Sequence, residues 1–304
     1  MHTRWGEIAI SDAHVHFFSH RFFSELARQK AGMSAHDVVR SAGWEPPSED
    51  PAGLAQRWDA ELARHSVETA AIIASVPGDE DSVLAAAARF PNRYFAYALV
   101  NPLAPDAADR TAAAIERGLR GVCLFPAMHR YCVQDERALR IIDLTAHRPG
   151  RVVFVHCGVL TVGIRKKIGL PSPFDMRFSN PVDVHAIALR YPAQPFVIPH
   201  FGAGYFREAL MVADLCPNVY LDTSSSNSWT RYQPEAITLR QVFDRALHVA
   251  GARRLLFGTD SSYFPRGWHS AIFEEQARVL WELGVSREDA ELIFGGNLRR
   301  LVAQ

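Results

Sequence analysis

The first β-rich run of the sequence is Ile8-Ala9-Ile10-Ser11-Asp12-Ala13-His14-Val15-His16-Phe17, and its pattern recurs along the chain. Each such run is short and rich in apolar and β-branched residues, and a longer helical pattern follows most of them. This alternation is typical of parallel βα units. Because eight such runs occur, we predict a closed (β/α)8 TIM barrel rather than an open sheet. The predicted strands are residues 8–17, 69–75, 94–100, 121–125, 152–157, 196–201, 219–223 and 255–260.

The segments between these runs predict helices. The best formed is 234–250, where apolar residues such as Val242, Phe243 and Ala246 make one stripe and Gly251 follows the last turn. Ser286 and Asp289 are spaced as a capping pair near the C-terminus. The other predicted helices are 81–90, 106–117, 135–147, 182–190, 268–283, 287–293 and 297–302.

Composition narrows the class of function. The 304 residues, 48% of them hydrophobic, can form a single barrel domain over residues 1–304, since such barrels use about 250 residues. The 33 basic and 33 acidic residues cancel, so no net field favours nucleic acid or a membrane surface. We expect a small-molecule substrate.

The N-terminal ten residues do not resemble a signal peptide, and no apolar run reaches the length of a membrane span. We therefore expect a soluble cytoplasmic protein. The four cysteines, Cys123, Cys132, Cys157 and Cys216, lack the spacing of a metal motif or a disulfide framework. We interpret most of them as small buried residues, and Cys157 as core rather than nucleophile.

Two connections are too long to be simple turns, residues 18–68 after the first strand and 158–195 after the fifth. Both follow the carboxyl ends of strands, the face on which barrel enzymes build their sites. We predict that they form lid loops over a substrate. An irregular loop is expected at 43–47, which contains glycine, tryptophan and two prolines.

His14 and His16 close the first strand with metal-ligand spacing. Side chains of a strand alternate with a period of two, so both imidazoles are expected to point into the barrel. Asp12 has the same parity, and we leave open whether it orients a ligand or is structural.

Three further ionisable residues end apolar strands: His156, His200 and Asp260. A buried ionisable group is costly unless it is paired or bound to a cation. The sequence therefore favours a metal site over a structural polar cluster. Imidazoles and a carboxylate suit one divalent ion, with Zn²⁺ the first choice, and such an ion lowers the pKa of bound water to about 7. An adjacent imidazole such as His200 can shuttle a proton, and Asp260 can accept one.

Taken together, these motifs resemble the amidohydrolase superfamily. The likeness is closest to the amidohydrolase-related branch, amidohydrolase 2, which includes aminocarboxymuconate-semialdehyde decarboxylase. Besides Asp12-x-His14-x-His16, it is carried by the motifs at 199–204, 257–260 and 293–301 and by Phe264-Pro265.

The resemblance implies that His14, His16, His156 and Asp260 bind the metal. It also implies that His200 is the catalytic histidine. The fourth strand and its end, 123–127, offer no bridging ligand, so we expect one metal rather than two. Related barrels often form dimers, and a homodimer is among our expectations.

Several candidates for substrate contacts have a plainer alternative. Five cations lie on the loops after the fifth and sixth strands, and one of them could clamp a carboxylate, or each could be a solvated charge: Arg165, Lys166, Lys167, Arg177 and Arg207. Trp44 could wall the pocket or pack a lid without touching substrate. His129, after the fourth strand, could contact substrate or simply be exposed. The polar residues that end the seventh strand could contact substrate or hydrogen-bond a turn: Asp222, Ser224, Ser225 and Ser226.

Two reactions fit these residues. The first is hydrolysis of a lactone, ester or amide in a small carboxylated compound by metal-activated water, and we favour it because most members of the superfamily hydrolyse. The alternative is non-oxidative decarboxylation of an unsaturated or aromatic acid. A barrel that only binds or scaffolds would require the metal site to be empty.

Overall fold

Each barrel strand pairs in parallel with the strand that follows it in the chain. A computed structural model describes residues 1–225 and 227–302. The barrel strands are Ile10–Phe17, Val67–Ala74, Tyr94–Val100, Gly121–Leu124, Val152–Val155, Phe196–Ile198, Val219–Asp222 and Leu255–Leu256, and a short hairpin, His2–Thr3 with Gly6–Glu7, precedes them. The eight predicted strands and the TIM-barrel class are confirmed.

The first strand and the segment after the eighth close the barrel. Val15 forms a parallel bridge with Ser261. The backbone N–H of Ala13 donates to the carbonyl of Phe257 at 2.8 Å, and that of His16 donates to Ser261 at 2.8 Å. The chain segment that carries Asp260 therefore lies directly beside His14 and His16.

The last strands are shorter than predicted at their carboxyl ends. The sixth ends at Ile198 and the eighth at Leu256. For the sixth strand the reason lies in the backbone, because His200 and Phe201 have φ values of 55° and 52°; Asp260, beyond the eighth strand, has a φ of 55° as well. These left-handed conformations are incompatible with a β-strand and are uncommon outside glycine.

The helices follow the predicted alternation. The α-helices are His20–Ala27, Ala35–Ala42, Pro51–Arg64, Glu80–Arg89, Ala107–Glu116, Pro126–His129, Glu136–Ala146, Gly163–Lys167, Val182–Arg190, Phe206–Leu215, Leu239–Ala250, Ser270–Glu282, Arg287–Glu291 and Asn297–Val302. Short 3₁₀ turns occur at Met176–Phe178, Pro199–Gly202, Ser228–Tyr232 and Ala252–Arg254, and a π-helical turn spans Leu292–Gly296.

Helix boundaries were predicted less well than helix positions. The helix predicted from 234 begins only at Leu239, because Thr238 and Gln241 form a reciprocal capping box that starts it there. The connection 18–68 contains three helices. Residues 44–47 form the irregular loop that we expected.

The core has two layers, as the alternation of strand residues requires. Ala71 and Ile73 of the second strand pack inside the barrel, whereas Ile72 and Ala74 pack outside against the helices. Gly121 faces the ring of Tyr97 so closely that a Cβ would lie 2.4 Å from it, so only glycine fits. Within the described residues, no helix has the length and apolar character needed to cross a membrane.

Candidate metal centre

His14, His16 and Asp260 meet at the carboxyl end of the barrel. Their ligand atoms lie within 4.8 Å of one another. A carboxylate oxygen of Asp260 is 3.1 Å from Nε2 of His16 and 3.7 Å from Nε2 of His14. Thus the structure brings together three of the four predicted ligands.

The environment of Asp260 favours its ionised form. Burial works to raise its pKa, but the hydrogen bond with His16 and the positive charge of the neighbouring imidazoles hold that pKa well below its ordinary value. Asp260 is thus available as an anionic ligand. Its left-handed backbone, like that of His200, is the kind of local strain that functional sites retain.

His14 is the most enclosed of the three residues. Its side chain is 1% exposed, and its Nδ1 lies 2.7 Å from a carboxylate oxygen of Asp222. Burial acts to lower the pKa of His14, but the charge of Asp222 and the hydrogen bond to it raise that pKa overall. Its Nε2 is buried with no hydrogen-bond partner among the described residues. A lone nitrogen of this kind, aimed at His16 and Asp260, fits a metal ligand.

His16 is anchored from its other ring nitrogen. Its Nδ1 lies 2.7 Å from the hydroxyl of Ser75, at the end of the second strand. This contact leaves Nε2 beside Asp260. Metal-binding histidines are usually oriented by such a bond on the opposite nitrogen.

His200 lies next to this group. Its ring centroid is 5.0 Å from that of His14, and its Nδ1 is 2.8 Å from the hydroxyl of Ser224. Burial lowers the pKa of His200, so its ring is neutral at pH 7. A neutral imidazole at this place can accept a proton.

His156 lies slightly apart from the close group of three residues. Its ring stacks on Phe125 at 4.9 Å and lies 5.4 Å from the ring of His200. Burial, followed by the charge of His200, holds the pKa of His156 well below its ordinary value. Its buried Nδ1 has no partner in the described part of the chain. His156 lines the same cavity, and its role as the fourth ligand stays a prediction.

A cavity of about 420 Å³ opens above these residues. Trp44 and Phe18, from the first long connection, and Ile164, from the second, contribute to its walls. Trp44 therefore lies where a substrate contact requires it to be. This volume is within the range of small-molecule sites.

The three arginines predicted as carboxylate clamps have other partners. Arg165 donates to the carbonyl of Pro171 and to Gln29. Arg177 pairs with Asp175 at 2.6 Å, and Arg207 pairs with its neighbour Glu208 at 2.6 Å. Among the described residues that line the cavity, the cations are Lys167, which was one of the predicted candidates, and Arg231 and Arg266, which were not.

Asp12 does not share the cavity with the histidines. The strand is irregular between Asp12 and Val15, and Ala13 packs in the inner layer. The carboxylate of Asp12 accepts hydrogen bonds from the backbone N–H of His14 at 2.9 Å and from the indole N–H of Trp268 at 2.7 Å. The predicted inward parity of Asp12 is therefore wrong, because this irregularity shifts the alternation. Burial raises the pKa of Asp12 to about 6, although its hydrogen bonds oppose the shift.

The remaining candidates divide between the site and its surroundings. Ser224 is buried at the site, Ser225 lines the cavity, and Ser226 lies outside the described residues. His129 stacks on Tyr131 instead of lining the cavity. Cys157 is buried in the outer layer, as predicted, and burial raises the pKa of its thiol.

Two cations escaped the sequence analysis, and Asp222 was assigned another role. Asp222 was a candidate for a substrate contact or a turn, whereas the structure places its carboxylate against Nδ1 of His14. Arg231 and Arg266 lie on loops, and nothing in the local sequence indicates that their side chains reach the cavity.

Comparison with known proteins gives the family. Residues 11–303 match a family model described as Amidohydrolase. A stretch of 87 residues is 33% identical to Protein fluG of Emericella nidulans, and it makes up 29% of this chain and 10% of that protein. The alignment thus spans about a tenth of the curated relative.

Solved structures share the barrel over nearly the full length. An uncharacterized TIM-barrel protein from Bordetella bronchiseptica has a TM-score of 0.65 at 20% identity, over 97% of this chain and 99% of that one. A probable 2-pyrone-4,6-dicarboxylic acid hydrolase from Acinetobacter baumannii, solved with citric acid bound, has a TM-score of 0.62 at 14% identity, over 98% and 100% of the two chains. An amidohydrolase from Burkholderia multivorans with bound zinc has a TM-score of 0.61 at 20% identity, over 97% and 99%.

Identities this low establish the fold alone. The family match is more specific, because it runs from the start of the first barrel strand through the last helix. It also encloses each of the five side chains that the sequence analysis selected, of which three lie in one close group. This protein is therefore an enzyme that belongs to the amidohydrolase family.

Proposed function

We propose that the protein is a mononuclear metal-dependent hydrolase that opens a lactone, ester or amide in a small carboxylated compound. The observation that carries this proposal is the close group of His14, His16 and Asp260 at the floor of a cavity. The membership of the amidohydrolase family supports it. So does the shared barrel with a probable hydrolase of a lactone dicarboxylate, although that likeness concerns the fold.

The residues present fit a divalent metal, and Zn²⁺ suits the donor set best. His14 and His16 would hold it through Nε2 and Asp260 through a carboxylate oxygen, with His156 as the fourth ligand. When bound, such an ion polarises a carbonyl oxygen and lowers the pKa of water to about 7. The buried, unpartnered Nε2 of His14 is the atom that the ion would satisfy.

His200 supplies the acid and base. Its Nδ1 is held by Ser224, which leaves Nε2 for the cavity that the ring lines. Because burial keeps the ring neutral at pH 7, Nε2 can accept a proton and return it to the leaving group. Asp260 is ionised before the reaction, because its pKa is held well below its ordinary value, and it can therefore take the proton of the attacking water.

Three cations at the cavity support a substrate with a carboxylate. Lys167, Arg231 and Arg266 are exposed and come from three separate segments, and none pairs with an acidic side chain in the described part of the chain. Asp260 is the sole carboxylate among the described residues of the lining. Guanidinium groups bind carboxylates well, often through two parallel hydrogen bonds.

The test is acid release from a panel of lactones, esters and amides, each supplied with and without a carboxylate. We expect the zinc-loaded protein to hydrolyse a carboxylated member, and His200→Gln to lower kcat by about a hundredfold or more. His248→Gln changes a surface histidine of the helix Leu239–Ala250 and serves as the control.

Two outcomes of activity measurements contradict the proposal, and metal analysis can give a third. One is absence of acid release across the whole panel from protein that holds one zinc per chain. The other is release of CO₂ from an unsaturated or aromatic acid without hydrolysis, which would assign the chain to the decarboxylases. Protein that binds less than one ion per chain in zinc-supplemented medium would instead indicate a binding or structural barrel.

A further inference from the structure

We propose that Asp222 and Ser224 are positioning residues that fix the tautomers of His14 and His200, so that Nε2 of each ring is available at the cavity. Asp222 is the last residue of the seventh strand, and Ser224 lies two residues further along the chain. The inference deepens the proposed function and rests on it for the use to which the two Nε2 atoms are put. The hydrogen-bond geometry itself does not depend on any reaction.

Asp222 determines where His14 carries its proton. The carboxylate is fully buried, and one oxygen lies 2.7 Å from Nδ1 of His14. The other oxygen accepts the backbone N–H of Ser224 at 2.6 Å. Because an ionised carboxylate only accepts hydrogen bonds, the hydrogen lies on Nδ1, and Nε2 keeps the lone pair that a metal requires.

Ser224 does the same for His200. Nδ1 of His200 lies 2.8 Å from the hydroxyl of Ser224 and 3.3 Å from its backbone carbonyl. A carbonyl can only accept, so Nδ1 carries the hydrogen here as well. The lone pair is then on Nε2, where a general base needs it.

One hydroxyl therefore joins the two rings. The oxygen of Ser224 is also 3.0 Å from Nδ1 of His14, and the two ring centroids are 5.0 Å apart. Ser224 is fully buried, so bulk water does not compete for its hydroxyl. The predicted ligand and the predicted acid/base thus share a single partner.

The packing behind this group leaves it little freedom. A Cβ on Gly258 would lie 2.9 Å from an oxygen of Asp222, 2.9 Å from Cβ of His14 and 3.0 Å from Cβ of Ser224. These distances are shorter than ordinary contacts, so the seventh strand, the first strand and the chain after the eighth meet here with no spare space. Such enclosure is what holds a side chain in one orientation.

The tautomer of His200 can be measured without any substrate. Long-range ¹H–¹⁵N correlation spectra of protein labelled in histidine distinguish a hydrogen on Nδ1 from one on Nε2. At about pH 8, where ordinary imidazoles are neutral, we expect the Nδ1–H form in the wild type. Ser224→Ala removes the hydroxyl at 2.8 Å and leaves only the longer contact with the backbone carbonyl at 3.3 Å, so we expect the Nε2–H form to become populated in that variant. The His200→Gln spectrum identifies the signal.

The role of Asp222 is measured by competition with a chelator for zinc. We expect Asp222→Ala to weaken zinc binding by about ten- to a hundredfold, in line with the loss of other partners of metal-bound histidines. Asp222→Asn, which retains an acceptor oxygen, should lose less.

Thr223→Val is the matched control for both measurements. Thr223 is buried between Asp222 and Ser224, but its hydroxyl bonds to Gln276 at 2.7 Å, on the helix side of the strand. This variant loses a buried hydrogen bond and stability, and it should leave both the tautomer and zinc affinity unchanged.

Three results would overturn the inference: an Nε2–H tautomer for His200 in the wild type, an unchanged tautomer in Ser224→Ala, or equal zinc affinity in Asp222→Ala and Thr223→Val. Should Ser224→Ala fail to fold, Ser224→Cys asks the same question with a weaker hydrogen-bonding group. If these results agree with the inference but no substrate is hydrolysed, the proposed function alone fails.

Discussion

Asp12 and Thr259 are joined by two hydrogen bonds across the seam that closes the barrel. One carboxylate oxygen of Asp12 accepts the backbone N–H of Thr259 at 3.2 Å, and the other accepts its hydroxyl at 2.5 Å. The same carboxylate also accepts from His14 and Trp268. One buried group therefore connects the strand that carries His14 and His16 with the segment that carries Asp260.

This connection predicts a large loss of stability in Asp12→Asn. All four groups that contact this carboxylate are donors, so the NH₂ group of asparagine would face donors and some of them would lose their acceptor. Leaving a buried polar group unpaired costs about 1 to 3 kcal/mol. We expect the free energy of unfolding, measured with urea at pH 7, to fall by about 3 kcal/mol. Asp59→Asn breaks a partly exposed ion pair with Arg93 and should cost less than about 1 kcal/mol. Equal losses in the two variants would contradict a special role for the seam.

The metal site predicts a thermal shift that needs no substrate. An ion that binds the folded chain stabilises it by about 2.7 kcal/mol at a hundred times its Kd, which for a domain of this size raises Tm by about 4 °C. We expect zinc to produce this shift in the wild type and in the surface variant His248→Ala. His14→Ala and Asp260→Ala should show little or none.

The same assay examines the fourth predicted ligand. His156 lines the cavity but lies outside the close group of three donors. If it binds the ion, His156→Ala will reduce the zinc-induced shift nearly as much as His14→Ala does. A shift of wild-type size in His156→Ala would remove it from the ligand set.

The cations of the cavity predict how substrate affinity depends on charge. We expect Arg231→Gln or Arg266→Gln to raise KM for a carboxylated substrate by about tenfold with little change in kcat, since a charged hydrogen bond made equally in the ground and transition states acts on KM. Arg177→Gln and Arg207→Gln remove guanidinium groups that pair with Asp175 and Glu208. If KM rises in Arg177→Gln and Arg207→Gln but not in the two cavity variants, the carboxylate is bound by the arginines predicted from the sequence.

Much of the fold could be predicted because it depends on local patterns. Apolar runs of the right length marked all eight strands, and the period of two placed His14 and His16 together at one end of the barrel. The strand ends could not be placed as well. After the sixth strand, left-handed backbone at His200 and Phe201 ends the extended conformation, and neither residue is a glycine that would have signalled it.

The site was predicted only where side chains follow directly from strands. The contact between His14 and Asp222 joins residues 208 positions apart, so it exists only because the barrel closes. Loop side chains are less predictable still, because a loop's course depends on what it packs against. Arg165 and Arg231 illustrate this difference: the first bonds to Gln29 and Pro171, whereas the second reaches the cavity.

His129 predicts a pH dependence of stability that is separate from the metal site. The ring is half-buried and stacks on Tyr131, its Nδ1 has no partner among the described residues, and burial lowers its pKa to about 4. In the unfolded chain a histidine has a pKa of about 6.5. Between these two values the unfolded chain binds more protons than the folded one, so stability falls as the pH is lowered through this window.

Replacing this histidine should remove that part of the pH dependence. His129→Phe keeps an aromatic ring but cannot be protonated, so relative to the wild type it should gain up to about 3 kcal/mol between pH 7 and pH 4. Urea unfolding at several pH values measures the difference. His147→Phe, which changes a histidine that is 71% exposed, should follow the wild-type curve. If the free energy of unfolding depends on pH in the same way in the wild type and in His129→Phe, protonation of His129 does not destabilise the folded chain and the prediction is wrong.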